Sequence, residues 1–307
     1  MSVPLRPFGR HTDVPVSALG LGGYHLGNVK SAREATRIVH AAIDAGVTFL
    51  DNAWEYHEHE SEIRMGRAIA DRRNRVFLMT KVCTHGRDAK VAMRQLEDSL
   101  RRLKTDRLDL WQVHECAYYN DPDRHFAQGG VIEALDRAKR EGKVRFVGFT
   151  GHKDPEIHLR MLSFGYQFDA CQMPLNVFDA SFRSFEQQLL PELQRQRIAP
   201  IGMKSLCGSG KAVNKKVVSL QDALRYAMSL PVATTISGID SMRVLKQNLK
   251  VASDFKPFTG DEMEKLRHRL AGVASDGRFE LYKTSAQHEG DEGRAQHNFP
   301  SQQEMAG

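Results

Sequence analysis

The run Leu108-Asp109-Leu110-Trp111-Gln112-Val113-His114 is apolar for most of its length and stops on an imidazole. Before it, Met93, Leu96, Leu100 and Leu103 recur at the spacing of one helix face. After it, Val131, Leu135 and Ala138 repeat that spacing up to Gly142, and a new apolar run opens at Val144. A short strand between two amphipathic helices, in a unit that recurs about every thirty residues, is the pattern of parallel strands joined by crossover helices. Working outward, the same alternation places strands at Val16–Leu21, Thr48–Asp51, Val76–Val82, Leu108–His114, Val144–Gly151, Phe168–Met173, Ile198–Met203 and Ala233–Ile239. These eight predict an α/β chain closed into a (β/α)8 TIM barrel. An open doubly wound sheet would show GxGxxG in its first turn, and Gly20-x-Gly22-Gly23 does not match it.

Helix boundaries support this division. Ser31 with Glu34 reads as a capping box ahead of Ala35, Ile38, Val39, Ala42 and Ile43, and Gly46 stands where a C-terminal cap belongs. Pro4 to Val14 predicts an N-terminal hairpin over the barrel floor, and Asp261 to Leu270 a last helix. We place the barrel at residues 1–284 and a polar C-terminal tail, with little to bury, at 285–307. The 307 residues carry 44 Lys+Arg against 38 Asp+Glu. The basic residues Arg72, Arg73, Arg75, Arg101, Arg102, Arg107, Lys139, Arg140 and Lys143 are interspersed with acids and lack stacking aromatics, which reads as a solvated helix surface and not as a nucleic-acid site. No run approaches the ~18 apolar residues of a membrane span, and Met1 to Ser17 has no apolar leader core. Four cysteines without CxxC spacing predict reduced thiols, and the expected location is cytoplasmic.

In such a barrel, chemistry gathers at the C-terminal ends of the strands, so reactive residues belong where apolar runs stop. Thr48-Phe49-Leu50 ends in Asp51, Phe77-Leu78-Met79-Thr80 in Lys81, and the run at 108–113 in His114, with Tyr56 five residues after Asp51. Any one of these alone reads as a solvated strand end or a structural side chain; four in order at the correct ends do not. Together with Leu19-Gly20-Leu21-Gly22, Leu103 to Leu110, Gly142-Lys143-Val144-Arg145-Phe146-Val147-Gly148, Gln172 and Gln247-Asn248-Leu249, they make the chain resemble the aldo-keto reductase family along nearly the whole barrel.

That resemblance implies a nicotinamide-dependent oxidoreductase that moves a hydride between cofactor and a carbonyl or alcohol: an aldehyde, a ketone or a sugar. Asp51, Tyr56, Lys81 and His114 are the implied catalytic tetrad. Tyr56 is the general acid, His114 orients the carbonyl, and Lys81, held by Asp51, is expected to lower the phenol's pKa from its ordinary value of about 10.

The resemblance also implies cofactor contacts. Gln172 matches the glutamine that holds the nicotinamide carboxamide, Thr150 the usual serine, and Gly151 replaces an asparagine. Met203 stands where many members stack a tyrosine on the ring. The segment Lys204-Ser205-Leu206-Cys207-Gly208-Ser209-Gly210-Lys211 reads either as a pyrophosphate cradle or as a flexible surface turn; it lacks P-loop spacing. Ser237-Gly238-Ile239-Asp240, Arg243, Gln247 and Asn248 match the adenosine-phosphate segment, with the family's Lys, Arg and Glu falling on Gly238, Val244 and Gln247. Family habit favours NADP. Arg243 suits its 2′-phosphate, but Asp240 suits a ribose hydroxyl, leaving NAD open.

Trp54 and Tyr118 are candidate walls of the substrate pocket, with core packing the alternative for Trp54. His57-x-His59, His85, His114 and His152 fall near one mouth, yet a metal-dependent hydrolase barrel would carry HxH on its first strand, so no metal is expected. Cys83, Cys116 and Cys207 form no cluster motif. Family relatives that serve as channel β subunits supply a second reading, a nicotinamide-binding regulatory module with little turnover. No added interaction domain is evident here, and the expected partner is a small-molecule substrate. Substrate identity, reaction direction and oligomeric state are not written in these motifs.

Overall fold

The computed structural model describes residues 2–82, 88–208 and 210–285. Cys83, His85 and Ser209 lie outside those residues, as does the predicted tail beyond Ser285. An antiparallel hairpin, β1 (Leu5–Phe8) and β2 (His11–Ser17), precedes β3 (Leu19–Gly22), β4 (Phe49–Asp51), β5 (Phe77–Val82), β6 (Leu108–Val113), β7 (Val144–Thr150), β8 (Ala170–Pro174), β9 (Ala199–Met203) and β10 (Thr234–Gly238). The last eight are parallel and close into a barrel through the β10–β3 pair. Each predicted strand is present. The first one, Val16–Leu21, divides at Ala18 between the hairpin and the barrel.

Side chains alternate across a strand with period two, and here the alternation carries both the core and the site. Phe49, Phe77, Met79, Leu110, Phe146, Ala170, Ala199, Ile201 and Ile236 form the packed interior. Leu50, Leu78, Trp111, Val113, Val147, Phe149, Cys171 and Met173, on the opposite parity, pack under the helices. The interior parity continues upward into Asp51, Lys81, Gln112, Thr150, Gln172 and Met203, so the layer above the apolar filling is polar. Registers Gly22↔Asp51, Lys81↔Gln112 and Thr150↔Gln172 hold its members at matching heights.

The hairpin closes the lower end, as expected. Phe8 is fully buried, with its ring 4.9 Å from that of Phe77 and 5.2 Å from that of Phe146. Ser31 caps helix Ala32–Asp44 by accepting from the Glu34 amide, whereas the complete reciprocal box sits at Thr259 and Glu262, at the start of helix Gly260–Ala274. Gly46 (φ +92°) and Gly142 (φ +70°) end their helices in the left-handed conformation that glycine adopts without penalty. No helix among the described residues is long and apolar enough to cross a membrane.

No motif in the sequence announces the segment after helix Gly260–Ala274. This strap, Gly277–Ser285, with short helix Leu281–Thr284, returns over the barrel mouth. Lys283 is fully buried, its ammonium 2.7 Å from Asp179 and 3.0 Å from Glu280, and it donates to the Phe182 carbonyl at 2.7 Å. Tyr282 is 1% exposed and donates its hydroxyl to Glu280 at 2.7 Å.

Candidate active site

The four strand-end residues converge. Lys81, 1% exposed, donates to Asp51 in a short ion pair, to the Asn52 carbonyl at 2.7 Å and to the Tyr56 hydroxyl at 3.4 Å. Asp51 receives a further hydrogen bond from Gln172 Nε2 at 3.0 Å. The ring of His114 stands edge-on to Tyr56 with centroids 5.7 Å apart. Glu55 Oε1 lies 2.6 Å from His114 Nδ1, a close approach whose angle falls outside hydrogen-bond geometry. Tyr56 is aimed by the backbone that follows it: His57, Glu58 and His59 all have positive φ, a left-handed turn that ends as the cap of helix Glu60–Ile69. Each such residue costs on the order of 1 kcal/mol, a strain held by the packing around it.

The electrostatics correct one expectation. Tyr56 is half-buried as a residue, but its hydroxyl end is enclosed, and burial pushes the phenol well above its ordinary value. Asp51, Glu55 and Glu115 push it the same way. The nearby Lys81 does not reverse this direction. The hydroxyl is therefore held protonated, as a proton donor must be. Burial also lowers the pKa values of Lys204, His152 and His25.

The residues assigned to the cofactor occupy the rim above β7 to β10. Thr150 and Gln172 are buried, and Gln172 Oε1 has no hydrogen-bond partner among the described residues. Met203 ends β9 and rests on the barrel filling. Ser205 is buried and donates to the Ile236 carbonyl at 3.5 Å, while Leu206, Gly208 and Gly210 border the turn beyond it. Ile239 is buried and Asp240 exposed. Asn248 Nδ2 donates to Ser237 at 2.8 Å and leaves its Oδ1 without a partner among the described residues; Arg243 reaches Gln247 at 3.3 Å on the exposed face of helix Met242–Ser253.

Two departures from the family pattern have a steric cause. A Cβ on Gly151 would lie 2.5 Å from the Cys116 carbonyl oxygen and 2.7 Å from the His158 ring, so no asparagine fits there. At Gly238, His25 fills the space, 2.2 Å from where a Cβ would stand.

The ring contacts of Trp54 are His59 and Arg102, whereas Tyr56 is flanked by Tyr24 at 5.3 Å and by His114. Tyr118 is half-buried beside Asp121, whose carboxylate accepts from its amide. His57 and His59 bond to the backbone carbonyls of Tyr24 and Trp54. Cys116, Cys171 and Cys207 are free thiols and buried. Tyr24 and His25, directly after β3, belong to no motif of the sequence, although the strand-end rule reaches them. Glu115 and Tyr282 also border the site; Glu115 directly follows His114, and Tyr282 has no local signal.

The comparisons agree with the fold. The model of the aldo/keto reductase family matches residues 18–221. L-galactose dehydrogenase of Arabidopsis thaliana is 31% identical over 306 residues, covering 85% of this chain and 91% of that protein. 6-dehydroglucose reductase of Novosphingobium aromaticivorans is 28% identical over 249 residues, 74% of this chain and 80% of that one. An aldo/keto reductase from Klebsiella pneumoniae, solved with NADP and acetate, superposes with a TM-score of 0.70 at 24% identity, covering 90% of this chain and 96% of that chain. With a family model spanning most of the barrel and the barrel itself closed as that family's fold requires, this chain belongs to the aldo/keto reductase family.

Proposed function

We propose that the protein is an NADP-dependent carbonyl reductase, reversible toward the alcohol, in which Tyr56 is the general acid, His114 orients the carbonyl oxygen, and Lys81 and Asp51 serve Tyr56. The observation that carries this reading is the Asp51–Lys81–Tyr56 chain of contacts in a buried layer at the C-terminal ends of the strands. The cofactor fits on one specific ground: Gln172, fixed by Asp51 through its amide nitrogen, keeps a buried amide oxygen in need of a donor, which a carboxamide NH2 supplies. Gln172, Thr150 and Met203 would hold the nicotinamide end. Lys204, Ser205, Leu206, Gly208 and Gly210 are assigned to the pyrophosphate, and Ser237, Gly238, Ile239, Asp240, Arg243, Gln247 and Asn248 to the adenosine phosphate. When bound, the reduced nicotinamide supplies a hydride to the carbonyl carbon.

The chain's own residues do the rest. Tyr56 keeps its proton in the resting site and gives it to the oxygen as negative charge develops there. Lys81 then lies within reach to stabilise the phenolate, and Asp51 keeps the ammonium aimed. Trp54 and Tyr118 remain assigned to the wider pocket. We keep with this reading the domain boundary at 284/285 and the cytoplasmic location, which limited proteolysis and cell fractionation test.

Tyr56→Phe is the decisive variant. Turnover on a carbonyl panel should fall by roughly 10²–10⁴, while NADPH affinity, read by fluorescence titration, stays within about threefold of wild type. Unchanged turnover removes Tyr56 from the chemistry. Tight NADPH binding by the wild type with no turnover on any carbonyl would leave the regulatory-module reading in its place.

A further inference from the structure

Cys116, His125 and Met161 come from three segments and meet in the packing between barrel and helices. Cys116 follows β6 and is tied to the end of β7, its amide donating to the Thr150 carbonyl at 2.8 Å. The chain then turns on Asp121, whose carboxylate accepts from the Ala117 and Tyr118 amides at 2.9 and 2.8 Å, and enters the short helix Asp121–His125. That turn brings His125 back toward Cys116, and helix Pro155–Ser163 sets Met161 against it. All three residues are fully buried. His125 Nδ1 faces both sulfurs, with Cys116 Sγ at 3.9 Å and Met161 Sδ at 3.3 Å. Sulfur is a weak hydrogen-bond partner, so burying an imidazole nitrogen against two of them returns little. As metal ligands, the same three atoms are a strong, soft set.

We propose that Cys116 Sγ, His125 Nδ1 and Met161 Sδ form a binding site for copper(I), separate from the tetrad and independent of the reductase reading. An imidazole nitrogen at about 2.0 Å and a sulfur at about 2.3 Å from one ion, about 120° apart, stand about 3.7 Å from each other. The two observed edges fall on either side of that value. The donor types choose the ion. Among the described residues no group of three or more His, Cys, Asp or Glu side chains is placed to hold a metal. This cluster is completed by a thioether instead, which favours copper(I) over zinc or a hard cation. Copper(I) with one thiolate is also a neutral unit, which a fully buried site accepts more readily than a charged one. Burial pushes the Cys116 thiol up, so apart from a metal the sulfur keeps its proton. Loading exchanges that proton for the ion: the S–H bond breaks, the proton passes to solvent, a copper–sulfur bond forms and no electron is transferred. The imidazole binds through the Nδ1 lone pair with its hydrogen on Nε2.

The test titrates the reduced full chain with copper(I) under anaerobic conditions against bicinchoninate, a coloured copper(I) chelator. The wild type should withdraw one equivalent from the chelator. Met161→Leu nearly keeps the side-chain volume and should weaken the site roughly tenfold, and Cys116→Ser should weaken it by roughly 100-fold or more. Cys207→Ser removes a buried thiol outside the cluster and should bind within about threefold of wild type. The proposal is overturned if the wild type takes no copper(I) from the chelator, or if either Cys116→Ser or Met161→Leu binds it as the wild type does. Weakening by Cys207→Ser as large as that by Cys116→Ser overturns it too. X-ray absorption at the copper edge, on wild type holding one equivalent, decides the matter even where a variant fails to fold. Two sulfur neighbours and one nitrogen support the site; sulfur neighbours alone, the mark of capture by thiols, overturn it.

Discussion

Lys81→Met takes the ammonium out of a site where the residue is 1% exposed. It leaves the 4% exposed Asp51 carboxylate with Gln172 as its remaining donor at 3.0 Å, and removes the donor that Lys81 gives to the Asn52 carbonyl and the Tyr56 hydroxyl. Breaking a buried ion pair from one side costs about 3–5 kcal/mol. At about 2 °C per kcal/mol for a chain of this size, the melting temperature should fall by about 6–10 °C. Asp51→Leu strands the opposite charge and should cost a similar amount. The double variant carries no stranded charge and replaces the pair with apolar groups, so its stability should return to within about 2 kcal/mol of wild type. Turnover should not return: Lys81→Met and the double variant lose roughly 10²–10⁴ of it, because no cation faces Tyr56 in either. Melting followed by circular dichroism, with NADPH consumption measured on the same preparations, reads both quantities. If Lys81→Met melts within about 1 °C of wild type, or the double variant is no more stable than the weaker single one, the pair is not a buried, mutually dependent unit. The expected pattern instead means that the pair is kept for chemistry, since apolar residues would serve the fold as well.

Three further outcomes follow from the packing. His158 is buried between the Phe149 and Phe185 rings, and burial pushes its pKa down to about 3. The unfolded chain takes up this proton near pH 6.5 and the folded one does not, so this contribution is intact above that pH and is lost as pH falls toward 3. His158→Leu should therefore gain on wild type by up to about 1.4 kcal/mol per pH unit across that window, seen in urea melts at several pH values; parallel curves would contradict it. Phe8→Ala opens the barrel floor and should cost about 3–5 kcal/mol in the same melts, with KM for NADPH little changed because the site is at the other end. Lys283→Met leaves Asp179 and Glu280 facing each other without their cation. It should cost about 3–5 kcal/mol at pH 8 and expose the strap to trypsin. Burial already raises the pKa of Asp179, so the folded state binds its proton more readily than the unfolded one and the loss should shrink at acidic pH. A pH-independent loss would argue against a buried carboxylate there.

What could be read in advance was the information that lies within a few residues. Phe49 before Asp51, Met79 before Lys81, and Leu110 and Gln112 before His114 show both the period of two and the change from apolar to polar along one strand. Closure then brings the strand ends together without further instruction, which is why four residues spread from position 51 to position 114 were legible as one site. Lys283 shows the opposite case. Its partner Asp179 is 104 residues away, and a lysine a few positions ahead of a polar terminus is by composition a solvated one. Only the path of the strap turns it into the most deeply buried cation of the described chain beside Lys81.

The error over Tyr56 has the same origin. Lys81 could be placed near it from the strand ends, so a lowered pKa followed from the nearest charge, but the sign depends on a sum that includes enclosure and three carboxylates, Asp51 and Glu55 from the same segment and Glu115 from another. Gly151 and Gly238 looked like lost ligands for as long as only their own positions were considered. The Cys116 carbonyl, the His158 ring and the His25 ring already occupy that space, so the two glycines record where other side chains moved in. Residue type at a strand end thus predicts which groups meet, whereas protonation and free volume are properties of the assembled mouth and become readable only once every element around it is in place.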